Sequence, residues 1–294
     1  MPEIEHVHAN VNGLRLHCAR AGSGRLMLFL HGFPEFWYCW RRQLEHFGAR
    51  GWQAVAPDLR GYNLSDKPAE VAQYRAKHLV EDIRQLAAGL TSEKFVLVAH
   101  DWGGAAAWGF ASAHPELLSH LVIVNSPHPY TFWRELCTSE AQRKASDYML
   151  LLRDAKAERA LSEDNFRRLL GMAFGDSAPG SFTAEDQAAY VAAWSQPGAL
   201  TGGLNYYRAS PLYPPTAADP GAKKLQLDPA SFMVRVPTLV IWGERDQALL
   251  TGLLDGLESC VPQLKVVRVP EASHWIVREQ PERVNREIEA FVGD

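Results

Sequence analysis

The sequence predicts an α/β protein: a doubly wound, mostly parallel sheet whose strand and helix alternation is interrupted once by a helical cap. Three observations carry this expectation. Short apolar runs at 26–30, 52–56, 95–99, 121–124, 238–242 and 265–269 have the continuous hydrophobic character of strands covered on both faces. Amphipathic segments lie among them. Within 77–90, Leu79, Ile83, Leu86 and Leu90 recur at helical spacing, and Val284, Ile288, Phe291 and Val292 do the same behind Pro281, which suits a first helical turn. The alternation stops from about 130 to 229, where helical patterns are broken by Pro and Gly and 213–224 reads as loop, and it resumes near Val236. The expected organisation is a core built from 1–129 and 230–294, with a helical cap inserted at 130–229.

Bulk properties narrow the function classes. The 294 residues are enough to bury a large core, and 47% hydrophobic with 22% charged residues is ordinary globular usage, which excludes a disordered or fibrous chain. A net charge of −4 without a basic stripe speaks against nucleic acid as a partner. Cys18, Cys39, Cys137 and Cys260 lie far apart with no CxxC pair, which fits neither a zinc site nor a disulfide framework. Reduced thiols and a cytoplasmic location are expected. No stretch approaches the ~18 apolar residues of a membrane span, and residues 1–10 lack the pattern of a signal peptide. A homodimer is left open.

The chemistry centres on Ala99-His100-Asp101-Trp102-Gly103-Gly104, which follows the 95–99 strand and leads into a helical pattern at 105–113. Small residues two places before and after Asp101 permit a sharp strand-to-helix bend that exposes its side chain above the sheet. A carboxylate there can displace a leaving group from a saturated carbon and become an ester, whose carbonyl water must then attack. The second step needs a general base, an acid to orient it, and donors for an oxyanion. His274, in the loop after 265–269, supplies the base, and Asp246, directly after 238–242, supplies the orienting acid. Backbone N–H groups of Phe33, in His31-Gly32-Phe33-Pro34, and of Trp102 are the expected oxyanion donors. His31 and His100 read as supporting hydrogen-bond residues. Glu35 and Glu244 compete less well than Asp246 for the acid, and Asn125 at the alternative acid position cannot carry the charge.

Together with Glu35, Trp37-Tyr38-Cys39-Trp40, Asp58-Leu59-Arg60-Gly61-Tyr62 and Asn125-Ser126-Pro127-His128-Pro129, these motifs resemble the soluble epoxide hydrolases of the α/β-hydrolase fold, from about residue 10 onward. The resemblance implies hydrolysis of epoxides to vicinal diols, and two cap tyrosines that bind and protonate the epoxide oxygen. It carries those roles to Tyr148 and Tyr207, in Asp147-Tyr148-Met149-Leu150 and Leu204-Asn205-Tyr206-Tyr207-Arg208. Adjacent helical residues point roughly 100° apart, so only one of Tyr206 and Tyr207 can face the nucleophile, and Tyr207 is chosen on the resemblance alone. Trp102, Phe33, Trp37 and Tyr206 are expected to line the substrate pocket. The expected partner is a small epoxide with apolar or aromatic substituents, and the mechanism requires no metal or organic cofactor.

One departure is visible. Asn63 stands where a glycine is usual, although Asn tolerates positive φ well enough for the turn to survive. Two other readings stay open: a haloalkane or haloacetate dehalogenase with the same Asp nucleophile, and a non-catalytic ligand receptor on the same fold. Two cap donors suited to an oxygen leaving group favour the epoxide.

Overall fold

The computed structural model describes residues 2–175 and 180–293. Among them eight strands form one sheet: β1 (Glu5–Val11), β2 (Leu14–Ala21), β3 (Arg25–Leu30), β4 (Trp52–Pro57), β5 (Phe95–His100), β6 (Leu118–Val124), β7 (Thr238–Gly243) and β8 (Leu264–Val269). Their order is β1-β2-β4-β3-β5-β6-β7-β8, parallel from β4 to β8 and antiparallel at β1-β2-β4. The six anticipated strands coincide with β3 to β8. The first two were not anticipated, yet Asn12 and Gly13 between them take φ of 52° and 77°, the two-residue hairpin turn that an Asn-Gly pair favours.

Successive residues in β3, β5 and β6 point to opposite faces, and each face is buried. Leu28, Leu30, Leu97, Ala99 and Ile123 join one core cluster, while Met27, Phe29, Val96, Val98 and Val122 join the other. This explains why those strands read as unbroken apolar runs. The helices that cover them are α1 (Arg41–Gly48), α2 (Ala76–Leu90) and α3 (Asp101–Ala113), together with α10 (Ile276–Glu279) and α11 (Pro281–Val292), which follow the insertion in sequence. Between β6 and β7 run α4 (Pro129–Thr138), α5 (Glu140–Ala145), α6 (Tyr148–Arg153), α7 (Ala157–Phe174), α8 (Ala184–Trp194) and α9 (Ala199–Ala209). α7 is kinked at 163–166, where the backbone leaves helical geometry.

This helical layer docks through polar contacts onto the loops that leave β3 and β4. Trp194 Nε1 donates to the carbonyl of Pro34 at 2.6 Å, and the Tyr190 hydroxyl donates to Glu35 at 3.1 Å. The Tyr206 hydroxyl donates to the carbonyl of Arg60 at 2.9 Å. Asn63 takes a φ of 39°, as its turn requires, and its side chain donates to Asp58 at 2.8 Å. Among the described residues no helix is long and apolar enough to cross a membrane.

Arg60 anchors this loop from within. Its guanidinium is buried and grips both oxygens of Asp82 at 2.5 Å, with a third bond to the carbonyl of Gln73 at 2.6 Å. Removing one partner of a buried pair strands the other charge, at a typical cost of ~3–5 kcal/mol. Arg60→Ala is therefore expected to lose about that much unfolding free energy in urea titration, and Arg60→Ala/Asp82→Ala less than the sum of the single losses. Additive losses would show that the pair is not coupled.

Candidate active site

The chain leaves β5 and turns sharply at Asp101, which begins α3 with a φ of 49°. Positive φ in a non-glycine residue costs roughly 1–3 kcal/mol and persists only where the surroundings enforce it. Here they do. The Ser126 hydroxyl donates to the Asp101 carbonyl at 2.7 Å, and the neighbouring loop packs backbone against backbone. A Cβ at position 103 would lie 2.5 Å from the carbonyl oxygens of Leu30 and His31, so only glycine fits. At position 32 a Cβ would lie 2.2 Å from Asp101 Oδ1.

That close approach lets the Phe33 N–H donate to Asp101 Oδ1 at 2.8 Å. The Trp102 N–H lies in the first turn of α3, where amides have no acceptor within the helix and the helix dipole favours negative charge. The second carboxylate oxygen, Oδ2, stands 3.8 Å from His274 Nε2. On the far side of the ring, His274 Nδ1 meets Asp246 Oδ2 at 2.6 Å. Asp246 is itself fixed: its Oδ1 accepts from the amides of Ala248 and Leu249 at 2.9 Å each, and Asn125 donates to Oδ2 at 2.8 Å. Asn125, the residue unable to serve as the acid, instead braces the residue in that place.

Electrostatics follow from this packing. Burial pulls the His274 pKa down, but the charge and hydrogen bond of Asp246, reinforced by Asp101 and Glu35, overcome it and raise the value to about 9. Burial pushes Asp246 up, and His274, the Leu249 amide and Asn125 hold it below its ordinary value. Both tyrosines are driven upward: Tyr148 by burial and then by Asp101 and Asp246, Tyr207 by burial and then by Tyr148 and Asp101. Each stays a proton donor at neutral pH.

The structure brings Asp101, His274, Asp246, Tyr148 and Tyr207 to one cavity of about 280 Å³, which Phe33 also lines. A smaller lobe of about 70 Å³ shares Asp101, Tyr148 and Tyr207 and adds Trp102. The Tyr207 ring stands edge-on to Trp102 at 5.0 Å and to Phe33 at 5.3 Å, and Tyr148 lies 6.2 Å from Tyr207.

Two expected pocket residues lie elsewhere. Tyr206 lines neither lobe: its hydroxyl is spent on Arg60 and its ring packs with Tyr62 and Tyr74, as the angular offset between helical neighbours dictates. Trp37 faces the β1-β2 hairpin, edge-on to His6 at 4.9 Å, with its amide donating to Asp58. Glu244 pairs with Arg268, and the carboxylate that meets His274 is that of Asp246.

Other residues enter that sequence reasoning had set aside or passed over. His100 Nε2 lies 2.9 Å from the His274 carbonyl, which can only accept, so this nitrogen carries hydrogen; the two rings are 4.7 Å apart. His100 Nδ1 faces Glu35 at 3.5 Å, and Glu35 meets Arg278 at 2.8 Å. Burial pushes the Glu35 carboxyl up, yet His100 and Arg278 bring it down to about 2. Ser126 was visible in its motif, but nothing in a linear sequence indicates that its hydroxyl meets the Asp101 carbonyl.

A profile of the alpha/beta hydrolase fold matches residues 25–281. An AB hydrolase superfamily protein of Bacillus subtilis is 40% identical over 98% of each chain. Epoxide hydrolase 2 of Caenorhabditis elegans is 36% identical over 98% of this chain and 80% of its own length. The crystal structure of Bacillus megaterium epoxide hydrolase in complex with an inhibitor superposes with a TM-score of 0.90 at 39% identity, covering 98% of this chain and all of that one.

The His274 shift has a thermodynamic consequence. A folded pKa of about 9 against an unfolded value near 6.5 means that the folded state binds this proton more tightly. The stabilisation is full below the unfolded value and is lost as pH rises through the folded one. The unfolding free energy of wild type minus that of His274→Gln is therefore expected to fall by about 1–3 kcal/mol between pH 6.5 and 9.5 in urea titrations. A difference constant across that window contradicts the charge assignment.

Proposed function

The chain belongs to the α/β-hydrolase fold family and to its epoxide hydrolases, and from that premise we propose that it opens epoxides to vicinal diols through an ester formed on Asp101. One observation carries the assignment of roles: the two oxygens of Asp101 are differentiated. Oδ1 is held by the Phe33 N–H, whereas Oδ2 faces His274 without a short hydrogen bond. Oδ2 is the attacking atom, and Oδ1 becomes the ester carbonyl, already seated where an oxyanion is stabilised.

The epoxide enters between the sheet and the helices α4–α9, which act as a cap, because the nucleophile belongs to the sheet and the two tyrosines to α6 and α9. A bond forms from Asp101 Oδ2 to a ring carbon as the bond from that carbon to the epoxide oxygen breaks. The emerging alkoxide takes its proton from Tyr148 or Tyr207. Esterification removes the charge of Asp101, one of the influences that favour imidazolium, so His274 gives up its proton to solvent and stands neutral for the second step, regaining it once the Asp101 carboxylate is restored. Water then attacks the Asp101 Cγ while His274 Nε2 takes its proton, and negative charge collects on Oδ1. Collapse expels Oδ2 with the diol, the expelled oxygen is protonated from His274, and the last proton of the water restores the tyrosine. Apolar substituents fit the walls formed by Ala145, Leu152, Met172, Ala173 and Trp275.

Single turnover of styrene oxide in ¹⁸O-labelled water tests the sequence of bonds. Label is expected in the Asp101 carboxylate and not in the first diol released; label appearing first in the diol excludes the ester. Tyr148→Phe/Tyr207→Phe is expected to lose about 10²- to 10⁴-fold in the rate of ester formation, the usual contribution of a proton donor. An unchanged rate would remove both tyrosines from the chemistry.

A further inference from the structure

Tyr148 and Tyr207 stand on different helices, and one side chain outside the cavity ties those helices together. Tyr148 opens α6 and Arg153 closes it. The guanidinium of Arg153 reaches across to the C-terminal end of α9, where its Nη1 donates to the carbonyl of Tyr207 and to that of Ser210, the latter at 3.0 Å. Carbonyls at a helix C-terminus lack a partner further along the helix, and the helix dipole there favours a cation. Arg153 lines neither lobe of the cavity, so it can reach the reaction only through the elements it joins.

Arg153 is itself held in place. Its Cζ lies 3.7 Å from the centre of the Tyr213 ring, the Tyr213 hydroxyl donates to Asp219 at 2.8 Å, and Asp219 pairs with Lys224 at 2.6 Å. The planar guanidinium thus sits between a fixed aromatic face and a helix end, an arrangement that its stacking and its several donors suit. α9 has a separate attachment, because Arg208 grips both oxygens of Glu158 on α7 at 2.6 and 2.8 Å. Loss of Arg153 therefore leaves α9 docked and removes its direct tie to α6. The Tyr148 and Tyr207 rings are 6.2 Å apart. Both hydroxyls must converge on one epoxide oxygen, a geometry in which a displacement of about 1 Å typically costs ~10²-fold in rate.

We infer that Arg153 is a positioning residue for ring opening: it binds the Tyr207 carbonyl from the helix that carries Tyr148 and so sets the mutual placement of the two proton donors. This rests on the epoxide reading of Asp101 and on the donor role of the two tyrosines. Arg153 acts on ring opening because the tyrosines meet the epoxide oxygen in that step.

Ring opening can be read in isolation in a His274→Ala background, as the rate at which styrene oxide adds its mass to Asp101. Arg153→Met, which keeps an unbranched stem, is expected to slow that rate about 10- to 100-fold. Arg153→Lys retains the cation and should recover part of the loss. In a Tyr148→Phe/Tyr207→Phe background Arg153→Met is expected to add no further loss, since the donors it would misplace are gone. An unchanged rate in Arg153→Met, or a loss of the same size with and without the two hydroxyls, overturns the inference and leaves the epoxide chemistry standing. If Arg153→Met loses its cooperative unfolding transition, Arg153→Lys decides by the same comparison: slowing that needs the two hydroxyls supports the inference, and any other result overturns it. An unchanged rate in Tyr148→Phe/Tyr207→Phe overturns the donor role of the tyrosines, and no mass gain on Asp101 in His274→Ala overturns the ester itself; the role of Arg153 falls with either.

Discussion

Asp101 occupies backbone geometry that it would not choose alone, and its chemistry depends on that constraint. A φ of 49° aims the carboxylate off the end of β5 toward the loop after β3, where the Phe33 amide meets it. The contacts that hold it there are contributed by distant parts of the chain: Gly32 at the end of β3, Ser126 after β6, and the paired strands beneath. Side chains at 32 or 103 would force these backbones apart. A cost of roughly 1–3 kcal/mol at one residue is sustained because the burial of both sheet faces stabilises the frame independently.

The same frame arranges alternating charge behind Asp101. Arg278, Glu35 and His100 lead to the back of His274, and Asn125 and two amides lead to Asp246. Buried groups of this kind are tolerable only when each finds a partner. One consequence is a histidine whose affinity for a proton depends on whether Asp101 is charged, which suits the role proposed for it, beside a carboxylate in one step and as base in the next. Tyr148 and Tyr207 are held protonated by burial and by the nearby acids, so the proposed proton donors share the cavity with the Asp101 carboxylate.

Much of this was legible in the chain. Strands β3 to β7 announced themselves because burial on both faces erases polar alternation, whereas the edge strand β8 is largely open and was marked by its valines alone. The first hairpin did not: β1 lies partly open, with His6 and His8 exposed, and its Val7, Ala9 and Val11 alternation is short, although Asn12-Gly13 was a usable turn signal. Asp101, Asp246 and His274 were readable because each follows its own strand, and a parallel sheet delivers such loops to one edge. Side-chain direction within the helices and the short turn at 37–40 was not readable. Tyr206 and Trp37 point away from the cavity for reasons of packing that involve partners far off in sequence, Arg60 for one and the β1-β2 hairpin for the other. The service of Glu35 and Ser126 likewise exists only once the chain is folded.

The proposed ester on Asp101 is the decisive species, and removing His274 should make it accumulate. His274→Ala, mixed with excess styrene oxide and analysed by intact and peptide mass spectrometry, is predicted to gain one substrate mass per chain, located on Asp101. An unmodified protein, an adduct on another residue, or diol release by that variant at the wild-type rate would contradict the assignment of Asp101 as nucleophile and His274 as base.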